Sequence, residues 1–214
     1  MTSKIPLSSF LNLPRELRYE IYDYLCGQEA VSYPFRAPPI TSFDQTPPPT
    51  NLQLTNRFIY EEIRSYFYGK VTLSFVPQPI LRGARSLSRA TRNAIPPLAL
   101  VAIRQAKKAE VALVWNLNTT IAGAMWNNWS RIINRWLDEL VDLFLHEAAN
   151  LEVVSMSVRD ASENVGWENR ITLLQPLNKL KWRVLFQVGE VIVADREEAI
   201  LKENLKKYLD ALNE

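Results

Sequence analysis

WNNWSRIINRWLDELVDLFLHEAANLEVVSMSV, residues 126–158, decides the fold, because two periodicities meet inside it. From Trp126 to Ala149 the apolar residues Trp129, Ile133, Trp136, Leu137, Leu140, Val141, Phe144 and Leu145 fall on one broad stripe, the spacing of an amphipathic helix. Asn150 closes that helix. Leu151 to Val158, LEVVSMSV, then reads as a strand. A long helix feeding directly into a strand is half of a βαβ unit.

Strand-like runs recur at Val71–Val76 (VTLSFV), Ala109–Trp115 (AEVALVW), Leu151–Val158 and Val184–Val193 (VLFQVGEVIV), with helical stretches between them. Strands that alternate with helices favour parallel pairing through right-handed crossovers. Gly189 inside the fourth run marks a bulge or a hairpin, so that run reads as one strand or two. Ile171–Leu180 predicts a short helix interrupted near Pro176. Arg196–Leu212 predicts a last helix, with Leu201, Leu205, Tyr208 and Leu212 on one stripe and Asp195 as its cap, three residues before Glu198.

Upstream, LNLPRELRYEIYDYL (11–25) predicts an amphipathic helix that starts at Pro14, where a missing N–H costs nothing. Leu13, Leu17, Ile21, Tyr24 and Leu25 share one face, and Arg15, Glu16, Arg18 and Glu20 take the other. A proline-rich loop over 34–49 follows, expected to lie on the surface, since proline removes hydrogen-bond donors and favours extended backbone. Asn51–Phe67 resumes helical periodicity at Leu52, Thr55, Ile59, Ile63, Tyr66 and Phe67. The expected fold is α/β, with an N-terminal helical pair packed on a small, mostly parallel sheet of about four strands with crossover helices. The expected division is 1–69, the helical region with its loop, and 70–214, an α/β recognition domain.

The 214 residues are 47% hydrophobic and 22% charged, an ordinary globular mixture, and a net charge of +2 is too mild to argue for nucleic acid. One cysteine, Cys26, excludes an internal disulfide framework. The opening residues lack the apolar run of a signal peptide, and no later run approaches the ~20 apolar residues of a membrane span. The expected location is the cytoplasm or nucleus, away from a membrane.

LPRELRYEIYDYL and LQLTNRFIYEEIRSYFYGKVTLSF together resemble the fungal F-box-like proteins, in which an LPxELRxxIYxYL segment precedes LLxxxRxIYxEAxxxFY and a strand. The matching residues include Leu13, Pro14, Glu16, Leu17, Arg18, Ile21, Tyr22 and Leu25, then Leu52, Arg57, Ile59, Tyr60, Glu62, Phe67 and Tyr68. The later helix-then-strand phrases look like degenerate leucine-rich repeats. The chain departs from the pattern in its proline-rich insertion and in lacking the late tryptophan. The resemblance implies a non-catalytic adaptor: the helices bind a Skp-type adaptor protein of a cullin-RING ubiquitin ligase, and the remaining domain presents a client protein. Leu13, Pro14, Leu17, Ile21 and Leu25 would then face the adaptor. The competing reading buries the same leucines on the α/β core.

Arg82, Arg85, Arg89 and Arg92 would share one face of a helix, a basic stripe suited to carboxylate or phosphate. It supports an alternative function, a stand-alone interaction domain that binds an acidic partner, with nucleic acid the weaker form. The acids between Leu137 and Glu168 offer that basic region an internal partner instead. Catalysis finds little footing: His146 is the one histidine, without a serine or cysteine at motif spacing, and six scattered glycines make no phosphate loop. One histidine and one cysteine do not make a zinc site of the usual kind. No enzyme activity, cofactor or metal is expected.

Overall fold

The structure is a computed structural model, which describes residues 8–32, 40–77, 95–115, 122–160, 167–193 and 198–214. Its centre is a six-stranded sheet in which spatial order follows chain order: β1 (Val31–Ser32), β2 (Ser42–Phe43), β3 (Thr72–Phe75), β4 (Lys108–Trp115), β5 (Val153–Asp160) and β6 (Leu185–Val193). β1, β2 and β3 pair antiparallel, and β3 to β6 pair parallel. The four parallel strands are the four apolar runs of the sequence. β1 precedes the proline-rich stretch, β2 lies inside it, and together they extend the sheet beyond the expected four strands.

The helices are α1 (Ser8–Leu11), α2 (Arg15–Leu25), α3 (Thr50–Gln53), α4 (Arg57–Lys70), α5 (Pro97–Gln105), α6 (Ala122–Glu147), α7 (Trp167–Leu174) and α8 (Glu198–Asn213), with a 3-10 turn over Gln175–Leu180. Each parallel crossover steps one strand in the same direction, so crossovers of one hand leave their helices on one face of the sheet. Burial agrees with that placement. Leu73 and Phe75, Val111 and Leu113, Val154 and Met156, and Phe186 and Val191 point into a single core with Ile133, Leu137 and Leu140 of α6 and Leu205 and Leu209 of α8. Phe75 meets Phe144 edge to face at 5.1 Å. The alternate residues, Ser74, Glu110, Ala112, Ser155 and Gln187 among them, belong to the opposite face.

β6 is one strand with a bulge. Met156 pairs with Val188 and Val158 with Val191, so Gly189 and Glu190 together oppose Ser157. At its outer edge the Asn213 carboxamide accepts from the Phe186 N–H at 2.8 Å and donates to the Phe186 carbonyl at 3.0 Å.

Two N-terminal expectations need correction. The second half of the proline-rich loop is structural: Ile40 and Phe43 are buried, and Ser42 and Phe43 pair with Ser74 and Leu73. The helix expected over 51–67 is broken between α3 and α4, because the Asn56 side chain accepts from the Phe58 N–H at 2.7 Å and restarts the helix as its cap. Phe67 and Val71 tie the end of α4 into the main core, while Ile59 and Ile63 form a separate small cluster with Tyr22.

Candidate functional site

Pro14 sits one position earlier than expected, as the cap of α2, and Glu16 lies in the first turn, where the helix dipole favours a negative charge. The helix ends when Cys26 turns to extended backbone, its N–H still bonded to the Tyr22 carbonyl at 2.9 Å. What α2 buries is not its leucine stripe. Arg18, expected on the solvent face, is buried together with Tyr22.

The reason is a polar clasp to α4. Arg18 grips Glu62 with two nitrogens, Nε to Oε2 at 2.8 Å and Nη2 to Oε1 at 2.6 Å, and Tyr22 donates to Oε2 at 2.8 Å. A third Arg18 nitrogen donates to the Leu13 carbonyl. One turn on, Asp23 Oδ1 accepts from Tyr66 at 2.6 Å and from Lys70 Nζ at 2.5 Å. The Tyr19 and Tyr66 rings lie 4.1 Å apart between the two sets of bonds. The Arg18 bonds hold the Glu62 carboxyl below its ordinary value. Burial alone would raise Asp23, but Lys70 and Tyr66 outweigh it and hold that carboxyl low as well. Burial, then the bonds to these carboxylates, pushes the Tyr22 and Tyr66 hydroxyls far above their usual range.

With Arg18 and Tyr22 turned inward, the residues one step earlier are rotated by about 100°. Leu17 is 44% exposed, Ile21 36% and Tyr24 89%. They form an apolar stripe along the outer flank of α2. Of the other expected site residues, Pro14 is exposed at the start of the helix, and Leu13 and Leu25 are half-buried. Phe58 of α4 is also exposed, its ring 5.6 Å from the Arg18 guanidinium, and sets a second aromatic beside α2. No local pattern marks Phe58, because its exposure depends on where Arg18 goes.

The other candidates separate. Arg82, Arg85, Arg89 and Arg92 lie outside the described residues. Two later members of the same basic region do meet the acidic one: Arg104 pairs with Glu147 at 2.7 Å and Lys107 with Glu152 at 2.8 Å. His146 is exposed, its Nδ1 2.6 Å from the Asp142 carbonyl oxygen. Cys26 is buried, which pushes its thiol up and away from nucleophilic use. Among the described residues no three His, Cys, Asp or Glu side chains gather in a way that could hold a metal ion, and no helix is long and apolar enough to cross a membrane.

Trp136 and Trp167 pack against the core. Trp182 does the opposite: it is 72% exposed and held at φ 69°, a left-handed conformation that costs a bulky residue energy. A depression of about 530 Å³ between α6 and α7 is lined by Ser130, Arg131, Asn134, Arg135 and Asn169, polar groups without a nucleophile and base in pair. Compared with protein-family models, with curated proteins and with solved structures, the chain matches none.

Proposed function

We propose that the outer flank of α2 is a docking surface for a Skp-type adaptor protein, and that the chain is a non-catalytic F-box-type adaptor. In this reading Leu17 and Ile21, with Leu13, Pro14 and Leu25 at the margins, hold the ligase adaptor. The α/β domain holds a client, and ubiquitin transfer is done elsewhere, so the mechanism is proximity. A cytoplasmic or nuclear location goes with it.

The observation that carries the reading is the exposure of Leu17 and Ile21 on a helix whose other face is fixed by charge. Had these two side chains lain in the core, the adaptor reading would have lost its contact surface. Apolar residues on a fixed helix face are the usual material of helix-mediated recognition. Among the described strands the order contains no reversal, the place where doubly wound enzymes open their crevice.

The test is titration calorimetry of the full chain with a Skp-type adaptor, comparing wild type with Leu17→Asp and Ile21→Asp. Both positions are partly exposed, so both variants should still fold, as a melting curve checks, while binding falls by tenfold or more. No binding by folded wild type, or equal binding by both variants, leaves the stand-alone interaction domain in its place.

A further inference from the structure

Parallel sheets are ordinarily covered on both faces. Among the described residues the helices of this chain cover one, and the other shows Leu185 and Ile192 exposed on β6 and Ala112, Val114 and Val153 half-exposed at the centre. In the middle of that face stands Glu110.

Its carboxylate is held from two neighbouring strands. Ser74 Oγ on β3 donates to Oε2 at 2.8 Å, and Ser157 Oγ on β5 donates to Oε1 at 2.6 Å. Ser157 is itself fixed, since its oxygen accepts from the Glu190 N–H at 2.9 Å. The bulge in β6 makes room for this. A Cβ on Gly189 would stand 2.2 Å from Ser157 Oγ, so only glycine lets the hydroxyl sit there.

Among the described residues, nevertheless, no cation pairs with Glu110. Every other half-buried acid among them has one: Glu62 has Arg18, Asp23 has Lys70, Glu139 has Arg135, Glu147 has Arg104, and Asp138 and Asp142 share Lys179. Lys108, two residues along the same face, makes no ion pair with it. An ionised carboxylate offers about four lone-pair positions. Two are taken by hydroxyls, one on each oxygen, which leaves one on each oxygen for a forked donor.

The geometry points to the open sheet face as a recognition surface for an arginine-bearing segment of a partner protein, with the guanidinium on Glu110 and apolar neighbours of that arginine on the valine, leucine and isoleucine side chains around it. Guanidinium fits because it presents two parallel N–H groups to two oxygens, and such a charge-assisted pair is stronger than the neutral bonds already present. The rigid placement by Ser74 and Ser157 means that little ordering is left to do when the partner arrives. This assignment does not depend on the ligase reading, since it concerns a different surface and needs no adaptor protein.

The experiment uses the immobilised full chain and two pools of random nonapeptides, one with a central arginine and one with citrulline, its uncharged isostere, at about 0.15 M salt so that diffuse attraction is screened. Wild type should retain the arginine pool about tenfold over the citrulline pool, the order of effect expected for a charge-assisted pair. Glu110→Gln should bring that ratio to about one at an unchanged melting temperature. Ser155 lies directly across from Glu110 in the sheet. Ser155→Arg, which supplies the guanidinium from within, should also abolish retention and should raise the melting temperature, and it decides the matter if Glu110→Gln does not fold. Equal retention of the two pools by wild type, or an unchanged ratio in either variant, overturns the proposal. So does retention that appears only when Arg82, Arg85, Arg89 and Arg92 are all changed to Gln, because the occupant would then be the chain's own basic segment.

Discussion

Around Ile133, Leu137 and Leu140 the interior is closed by aliphatic and aromatic side chains, whereas beneath α2 Ile59 and Ile63 share it with Arg18, Glu62 and three tyrosines. The first region puts its leucines inside in the usual way. The second puts charge inside and leaves Leu17 and Ile21 in water. An apolar stripe is thus core only by default. When a buried ion pair with bidentate geometry fixes the other face, the same stripe becomes free surface.

The contrast can be broken from either side. Glu62→Ala removes one partner of a buried pair and leaves Arg18 uncompensated, a loss of about 3–5 kcal/mol. Hydrogen exchange should place the damage in α2 and α4, with β4 to β6 keeping their protection. Uniform loss across the molecule would mean that the two regions unfold as one. Leu137→Ala should cost about 2–5 kcal/mol through the cavity it leaves, and a urea midpoint should show the sheet and α6 falling together.

Acid separates the regions more gently. Glu62 and Asp23 both titrate below their ordinary values in the folded chain. Their stabilisation is therefore complete above the unfolded values, about 4, and is lost as pH falls through the lower folded ones. Exchange of α2 amides should accelerate below about pH 4 while the β5 amides stay protected. Simultaneous acceleration would show that the clasp contributes nothing of its own.

The smallest effect belongs to Trp182. Its left-handed backbone costs about 1–2 kcal/mol, part of which a glycine returns through its freer unfolded chain. Trp182→Gly should raise stability by about 1 kcal/mol or less by thermal melting. A fall would show that the indole is packed rather than solvated.

Much of the scaffold is legible in the sequence. Val71–Val76, Ala109–Trp115, Leu151–Val158 and Val184–Val193 each became one parallel strand, because apolar runs bounded by helical stretches have few other uses. β1 and β2 were not legible, since pairs of residues carry no period, and prolines nearby argue for loop. The direction of α2 was hidden for another reason. Arg18 and Glu62 are 44 residues apart, and no local pattern records that one charge will meet the other. Glu110 is the same case in the sheet: its two hydroxyl partners come from 36 and 47 residues away. Leu17 and Ile21 could be named in advance but not the way they faced, and Glu110 was not singled out at all.

A sheet that adds one strand at a time on the same side has no stop built into its geometry, and β6 would present a row of unmet peptide groups to any passing chain. The Asn213 carboxamide meets the Phe186 N–H and carbonyl as another strand's peptide would. One side chain thus works as a false neighbour: at Phe186 it takes the two bonds that an added strand would need there.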